Sequence, residues 1–546
     1  MTEYKVSGEF ESGVESALLL EGARPQVRYA IRIEPVVRAD SPAVSVEIDD
    51  NDLLEVELED GFVLWTTVDR LRDDTEKAGI RERGSSDLPT QYPLQRRGAE
   101  RGGIGNAIRS IKVLGYDAPE AGALWVASKI EGKLRGENQF FRISVSGKLT
   151  REDPVATGLG EPTLVLIHGT ASSTAGSYTG VFEDNADIWR RIHEGYEGRV
   201  YAFEHPTLTQ SPIDNAIEFL RALPDNANLH LITHSRGGLV GDLIAHGQVA
   251  GDVFSDDDLE REIGRMFRKK DKRYDEEIDK YLEFNRLISL KTPNVTRYVR
   301  VGCPAGGTTL ASRRLDIYLS VMIHLLKQVP AAGPILGAIA DFAAAVARER
   351  TDPETLPGLE AQMPKSAFVR LLNGSDHVLD TDLTVLAGDS EGFLKNLANL
   401  FYWRANDLVV DTRSMYAGAE RLRRLWHLEE NREVTHLNYF SRPETVDIVR
   451  RGLFRPDHDT SGFSSRKPKG AVRGEVKEGK PDENTGLPAV IMLPGIMGSN
   501  LEVVKGRKRK RVWVNLKALM RGLGARIAMD SGETIDPANV FDSPYE

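Results

Sequence analysis

The chain has 546 residues, 40% of them hydrophobic, and a formal net charge of −11. Single cores rarely grow past about 250 to 300 residues, so more than one domain is expected, and the acidic balance argues against a nucleic-acid partner. One cysteine, Cys303, rules out an intrachain disulfide and fits a reducing compartment, and the polar start Met1 to Val6 lacks the apolar run of a secretory signal, so the expected location is cytoplasmic.

Residues 1–150 read as a β-rich module. Val44, Val46 and Ile48 alternate with polar neighbours, and Leu54 to Trp65 alternates around Asp60-Gly61, a hairpin signal. A loop is predicted over Arg81 to Gly103, and Phe140 to Val145 gives a further strand. No motif here points to chemistry. A packing, binding or assembly role is expected, with its protein partner unknown.

From residue 155 the pattern changes. Thr163 to Ile167 is an apolar run of buried-strand type that ends in His168-Gly169. Arg199 to Phe203 gives another short strand, and Ile213, Ile217, Leu220 and Leu223 fall at helical spacing. Then His230 to His234 runs as an apolar strand into a small-residue turn with Ser235 at its tip. The order strand, loop, strand, helix, strand, serine, helix implies a parallel sheet with crossover helices.

Thr233 to Gly237 is close to the G-x-S-x-G elbow that lifts a serine hydroxyl clear of its backbone, with Thr233 where the first glycine is expected. That turn brings together the residues two before and two after the serine, so both must be small. Gly237 and Gly238 meet the second demand, whereas Thr233 crowds the first. Plain turns also place serine near glycine, so the neighbouring motifs carry the argument.

Downstream, Val253 to Lys291 is a charged insertion with mixed-sign runs, expected to form solvated helices. Val299 to Thr308 is a strand followed by Pro304-Ala-Gly-Gly-Thr308, with Cys303 read as a small packed residue rather than a nucleophile. Leu315 to Arg348 is apolar but interrupted by Lys327, Pro330, Pro334 and Asp341, which excludes a stable membrane span and leaves either a cap or ordinary core helices. Leu383 to Ala387 and Arg424 to Leu428 are strand-like. After Phe440, Ser441, Pro443 and Glu444 signal a helix start, with Val446, Ile448, Val449 and Leu453 on one face.

Together, His168-Gly169, the Ser235 elbow and the Pro304 to Thr308 turn resemble lipase-type α/β-hydrolases over residues 155–455. The resemblance implies a mostly parallel central sheet, cap insertions at about 250–292 and 313–375, and a Ser, acid, His chain order. On that pattern Ser235 is the nucleophile, Asp407 in Asn406 to Val410 the acid, and His436 the base, with Asp411 and Asp389 as alternatives to Asp407 and His427 to His436. The backbone amides of Arg236 and of Thr170 or Ala171 would form the oxyanion hole. His168 and His234 are read as structural. The substrate implied is a small carboxylic ester or lipid, with transient lipid contact and no cofactor or metal. Two alternatives stay open: a non-catalytic hydrolase fold serving as an interaction or scaffolding part of a larger protein, and an acyltransferase using the same three residues.

Residues 456–486 have linker composition. Pro488 to Ser499, with Leu501, Glu502 and Trp513, resembles the opening strand and oxyanion loop of lecithin:cholesterol acyltransferase-like hydrolases. The 487–546 piece is therefore expected to be the truncated start of a second α/β module without a nucleophile of its own. The basic run Lys505 to Arg511 is read as an exposed loop rather than a nuclear or nucleic-acid signal.

Overall fold

In a computed structural model of the chain, the residues described are 2–16, 26–33, 42–49, 52–59, 62–77, 80, 87–93, 105–115, 127–128, 131–132, 137–154, 161–267, 271–308, 320, 356–390, 406–407, 409–431, 434–457, 459–465, 499–505, 508–511 and 534–540. They fall into two compact units, Met1–Val472 and Arg473–Glu546.

The first unit opens with an antiparallel sheet built from β1 (Thr2–Phe10), β2 (Gln26–Ile33), β3 (Ala43–Ile48), β4 (Leu53–Leu58), β5 (Val63–Thr66), β6 (Gln91–Pro93) and β7 (Gly105–Gly115). Their order is β3-β1-β2-β7-β4-β5, with β6 on β7, and the helix α1 (Val68–Lys77) follows β5. The predicted hairpin is β4 and β5, with Leu54 opposite Thr66 and Val56 opposite Leu64. Alternation places Val46 and Ile48 in the core, as expected of a half-buried strand.

The second sheet has the order β15-β14-β13-β12-β10-β11-β8-β9. Its strands are β8 (Gln139–Ile143), β9 (Leu149–Arg151), β10 (Thr163–Ile167), β11 (Val200–Glu204), β12 (Asn228–His234), β13 (Asn294–Val301), β14 (Val378–Ser390) and β15 (Glu420–Asn431). The six from β10 onward are parallel to one another, and β8 and β9 complete one edge antiparallel. This corrects the sequence reading of Phe140 to Val145: its strand pairs with β11 and belongs to the second sheet. Alternation alone does not say which sheet an antiparallel edge strand joins.

Helices cover both faces, as a parallel sheet requires. Leu164 and Leu166 face α2 (Thr174–Phe182), α3 (Ala186–Gly195) and α11 (Pro443–Phe454), within a core that holds Val181, Trp189 and Val446. Val165 and Ile167 lie in the opposite core, with residues of α4 (Pro212–Ala222), α5 (Gly237–Ile244), α6 (Asp256–Ile263) and α7 (Lys272–Lys291); this core runs on into the N-terminal sheet. The charged insertion forms α6 and α7, but Tyr281, Phe284, Leu287 and Ile288 bury one face of α7, so only its outer face is solvated. Three short helices follow: α8 (Pro357–Glu360), α9 (Ala367–Gly374) and α10 (Thr412–Met415).

Helix α11 buries Val446, Ile448, Val449 and Leu453 as predicted. Its N-cap is Arg442 rather than Ser441, because Tyr439–Ser441 closes into a 3₁₀ turn before the helix. Leu315 to Arg348 lies outside the described residues, Ser320 excepted, as does most of 456–486. Among the described residues no helix is long and apolar enough to cross a membrane.

In the second unit β16 (Ser499–Lys505), β17 (Lys508–Arg511) and β18 (Thr534–Val540) form an antiparallel sheet in the order β17-β16-β18. The basic run is thus part of a hairpin, with Lys505 opposite Lys508, rather than a loop. Pro488 to Gly498 and Trp513 lie outside the described residues.

Candidate active site

Strand β12 ends at His234 and α5 begins at Gly237, so Ser235 sits in the turn between them with φ +51°, in the left-handed region. A non-glycine residue held there stores about 1 to 3 kcal/mol of strain, tolerated when the surroundings over-determine it. Here the Ser235 N–H donates to the Val301 carbonyl at 2.9 Å. A Cβ at Gly237 would lie 2.4 Å from the Ile167 oxygen, which fixes glycine at that place.

The crowding expected at Thr233 is relieved from an unexpected direction. Thr233 is fully buried, and its hydroxyl donates to the Tyr298 oxygen at 3.2 Å. A Cβ at Gly241, on α5, would lie 2.9 Å from Thr233 Cγ2 and 2.6 Å from the Tyr298 hydroxyl. The small residue that the elbow needs is therefore supplied by the helix packed on it.

Loop ends bring two distant residues to the serine. Ser235 Oγ lies 2.8 Å from His436 Nε2, and His436 Nδ1 lies 2.7 Å from Asp407 Oδ2. All three are buried. Asp407 Oδ1 accepts the N–H groups of Val409 and Val410 at 3.1 and 2.8 Å, and Oδ2 also accepts the Tyr439 hydroxyl at 2.8 Å. Four donors thus fix the carboxylate in place. The backbone closes the same unit, since the His436 N–H donates to the Asp407 carbonyl at 2.9 Å.

His234 braces this arrangement. Its Nε2 donates to the His436 carbonyl at 2.8 Å, and burial, reinforced by the nearby His436, pushes its pKa down to about 3. It is therefore neutral at pH 7, with the proton on the nitrogen that faces the carbonyl. His168 stacks on His205 with 4.2 Å between ring centroids, and its Nε2 lies 3.2 Å from Glu204. Both act as struts, in keeping with their structural reading.

The rivals are placed elsewhere. His427 is a strand residue of β15 with Nε2 3.0 Å from Glu429. Asp411 caps α10 by accepting the Arg413 N–H at 2.8 Å, and Asp389 lies near the end of β14.

Among the expected oxyanion donors one needs correction. The Ala171 N–H, with Ala171 at φ +48°, already donates to Thr207 Oγ1 at 2.9 Å. Thr170 donates its hydroxyl to Gln362 Oε1 at 3.2 Å, so the loop after Gly169 is tied to the segment after α8. Arg236 follows the serine directly, and its buried guanidinium donates to the Gln210 carbonyl at 2.6 Å. The Pro304 to Thr308 turn joins the same construction, since the Thr308 hydroxyl donates to the Val409 carbonyl at 3.0 Å. Cys303 is buried beneath it, and burial pushes its thiol pKa up.

Sequence reasoning missed Tyr439 and Thr207, which touch Asp407 and the Ala171 N–H. Tyr439 follows His436 by three residues, but a tyrosine before a helix is no signal in itself. Thr207 belongs to no motif. Among the described residues no group of three or more His, Cys, Asp or Glu side chains could hold a metal ion.

A family model described as "Domain of unknown function (DUF7379)" matches residues 136–253 and 284–454, more than half of the chain. The chain belongs to this family. The inter-segment gap falls on α6 and most of α7, and β8 and β9 lie inside the match while the N-terminal sheet lies outside it. No curated protein matches. Among solved structures, the chain is similar to the mature lipase BlEst2 of Bacillus licheniformis (16% identity, 55% of this chain, 95% of that chain, TM-score 0.27). It is similar also to lipase 1 of Pelosinus fermentans (13%, 54%, 97%, TM-score 0.36) and to Staphylococcus hyicus lipase (13%, 56%, 94%, TM-score 0.33). Those values are too low to bear on activity.

Proposed function

We propose that the chain is a serine hydrolase that cleaves carboxylic esters, lipids among them, through an acyl-enzyme on Ser235. The observation that carries this is the continuous chain from Ser235 Oγ to His436 Nε2 and from Nδ1 to Asp407, at 2.8 and 2.7 Å, behind a serine at positive φ. In this reading His436 Nε2 takes the Ser235 proton as Oγ bonds to the ester carbonyl carbon. Asp407 holds the imidazole in the tautomer with its proton on Nδ1 and stabilises the imidazolium that forms. The amides of Arg236 and Thr170 receive the developing oxyanion, Ala171 being engaged by Thr207. The imidazolium then gives its proton to the departing alcohol, and a water activated by the same histidine releases the acid.

General-base assistance accounts for about 10²- to 10⁴-fold of rate and each oxyanion donor for about 10²- to 10³-fold. The test is a fluorophosphonate probe applied to the chain and to Ser235→Ala. Labelling that disappears with the hydroxyl supports the proposal. A folded chain that takes no label overturns it, in favour of a hydrolase fold used as an interaction part of a larger protein.

A further inference from the structure

We infer that Glu131 is a positioning residue for the oxyanion loop: its carboxylate locks the 207–209 loop, which sets the backbone beside Ser235. This rests on the reading of Ser235 as nucleophile. Glu131 lies upstream of the family match and of β8, and is buried. Its Oε1 accepts three consecutive backbone N–H groups, those of Thr207 at 2.6 Å, Leu208 at 2.5 Å and Thr209 at 3.2 Å. Its Oε2 accepts the Thr209 hydroxyl. Successive amides converging on one point make a nest for an anion, and here the anion is the chain's own side chain. Hydrogen bonds to an ionised acceptor are roughly twice as strong as neutral ones, so this one side chain dominates the loop's conformation.

The locked loop touches three parts of the site. Thr207 Oγ1 accepts the Ala171 N–H at 2.9 Å, which orients the peptides after Gly169. The Gln210 carbonyl accepts the Arg236 guanidinium at 2.6 Å, next to the nucleophile. The Leu208 carbonyl accepts the Gly358 N–H at 3.0 Å, holding α8 against the loop. Gly358 packs so closely there that a Cβ would lie 1.9 Å from the Thr207 oxygen. Movement of residues 207–210 therefore moves the oxyanion loop, the elbow arginine and α8 together. A misplacement of about 1 Å at a reacting centre costs about 10²-fold in rate.

A staple that only holds the fold together would change how much active protein survives, and leave each surviving site unaltered. A positioning residue lowers kcat per site and leaves KM alone, because the oxyanion contact strengthens in the transition state. The experiment uses the full chain, counts sites by fluorophosphonate titration, and follows hydrolysis of a short-chain p-nitrophenyl ester. Glu131→Ala is expected to lower kcat per titrated site about 10- to 100-fold, with KM within about twofold, and to take up the probe more slowly to the same stoichiometry. Glu131→Gln keeps an acceptor oxygen for the three amides and restores kcat to within about threefold of the parent. Thr207→Val leaves the carboxylate in place but removes the acceptor of the Ala171 N–H, and is expected to lower kcat per site in the same manner; it carries the test should Glu131→Ala not fold. Full kcat per site in Glu131→Ala, or in Thr207→Val when the alanine variant does not fold, overturns the inference while the parent's labelling stands. A parent that takes no label overturns the proposed function itself, and this inference with it.

Discussion

The two sheets of Met1–Val472 bury polar groups in different ways. In the N-terminal sheet buried charge is paired: Lys112 Nζ lies 2.7 Å from Glu55 Oε1, whose other oxygen accepts Ser16 at 2.6 Å and the Trp65 indole at 3.3 Å. Around Ser235 the buried polar groups form an open line, with the carboxylate of Asp407 saturated at one end and a hydroxyl at the other. Backbone strain follows the same division. The non-glycine residues at positive φ among the described residues are Ala171, Glu197, Asn226, Ser235 and Thr292, all within the second sheet's domain. A buried ion pair holds its two side chains to one arrangement. In the proposed reading, an open line held by a strained turn keeps the Ser235 hydroxyl ready to react.

Four measurements press on that contrast. The largest effect is expected at the saturated end: Asp407→Asn keeps the shape but reverses the tautomer it favours on His436, and should lower kcat per titrated site by about 10⁴-fold. Near-parental turnover would mean that the line is not a working relay. On the other side, Lys112→Met removes an ion-pair partner 2.7 Å from the buried Glu55 carboxylate, which should cost about 3 to 5 kcal/mol in urea unfolding with kcat per site unchanged. A fall in kcat per site there would erase the functional difference between the sheets.

A smaller effect tests the strain. Ser235→Gly and Ser235→Ala both remove the hydroxyl, but only glycine adopts φ +51° at no steric cost, so the glycine variant should be the more stable by about 1 kcal/mol. Equal stability would show the turn to be relaxed. The smallest concerns His246, which burial, followed by the charge of Arg421, pushes down to about 4. Its unfolded counterpart titrates near 6.5, so below that pH the unfolded chain binds more protons. The contribution is complete above about pH 6.5 and is lost as pH falls toward about 4. His246→Asn should reduce the loss of stability between pH 7 and 6 by less than about 1 kcal/mol, and an unaltered slope would show that the imidazole is not kept neutral.

Much of this can be read from the sequence where one short segment carries its own signal. Leu164 to Ile167 and Val200 to Phe203 are apolar throughout because both faces of the sheet are covered, and they lie in β10 and β11. Ser235 stands out because an apolar strand breaks there into a small-residue turn, whereas Asp407 and His436 are chosen only through the chain order that the resemblance implies; folding joins the three in one hydrogen-bonded line. What escapes reading depends on pairs far apart in the chain. That β8 leaves the N-terminal module for β11 is a matter of register across a loop. That Ala171 donates to Thr207, and that Gly241 makes room for Thr233, are contacts between elements with no local mark. The solvated reading of the charged insertion fails on α7 because a buried face with Tyr281, Phe284, Leu287 and Ile288 anchors a helix in which half of the residues are charged.

The single cysteine has a practical consequence. Cys303 is buried against the elbow helix, where a Cβ at Gly238 would lie 2.4 Å from its sulfur, so a thiol reagent reaches it when that packing opens. The chain thus comes with a built-in clock for opening at the Ser235 turn, and a second cysteine placed on the surface would take a dye without competition from the first.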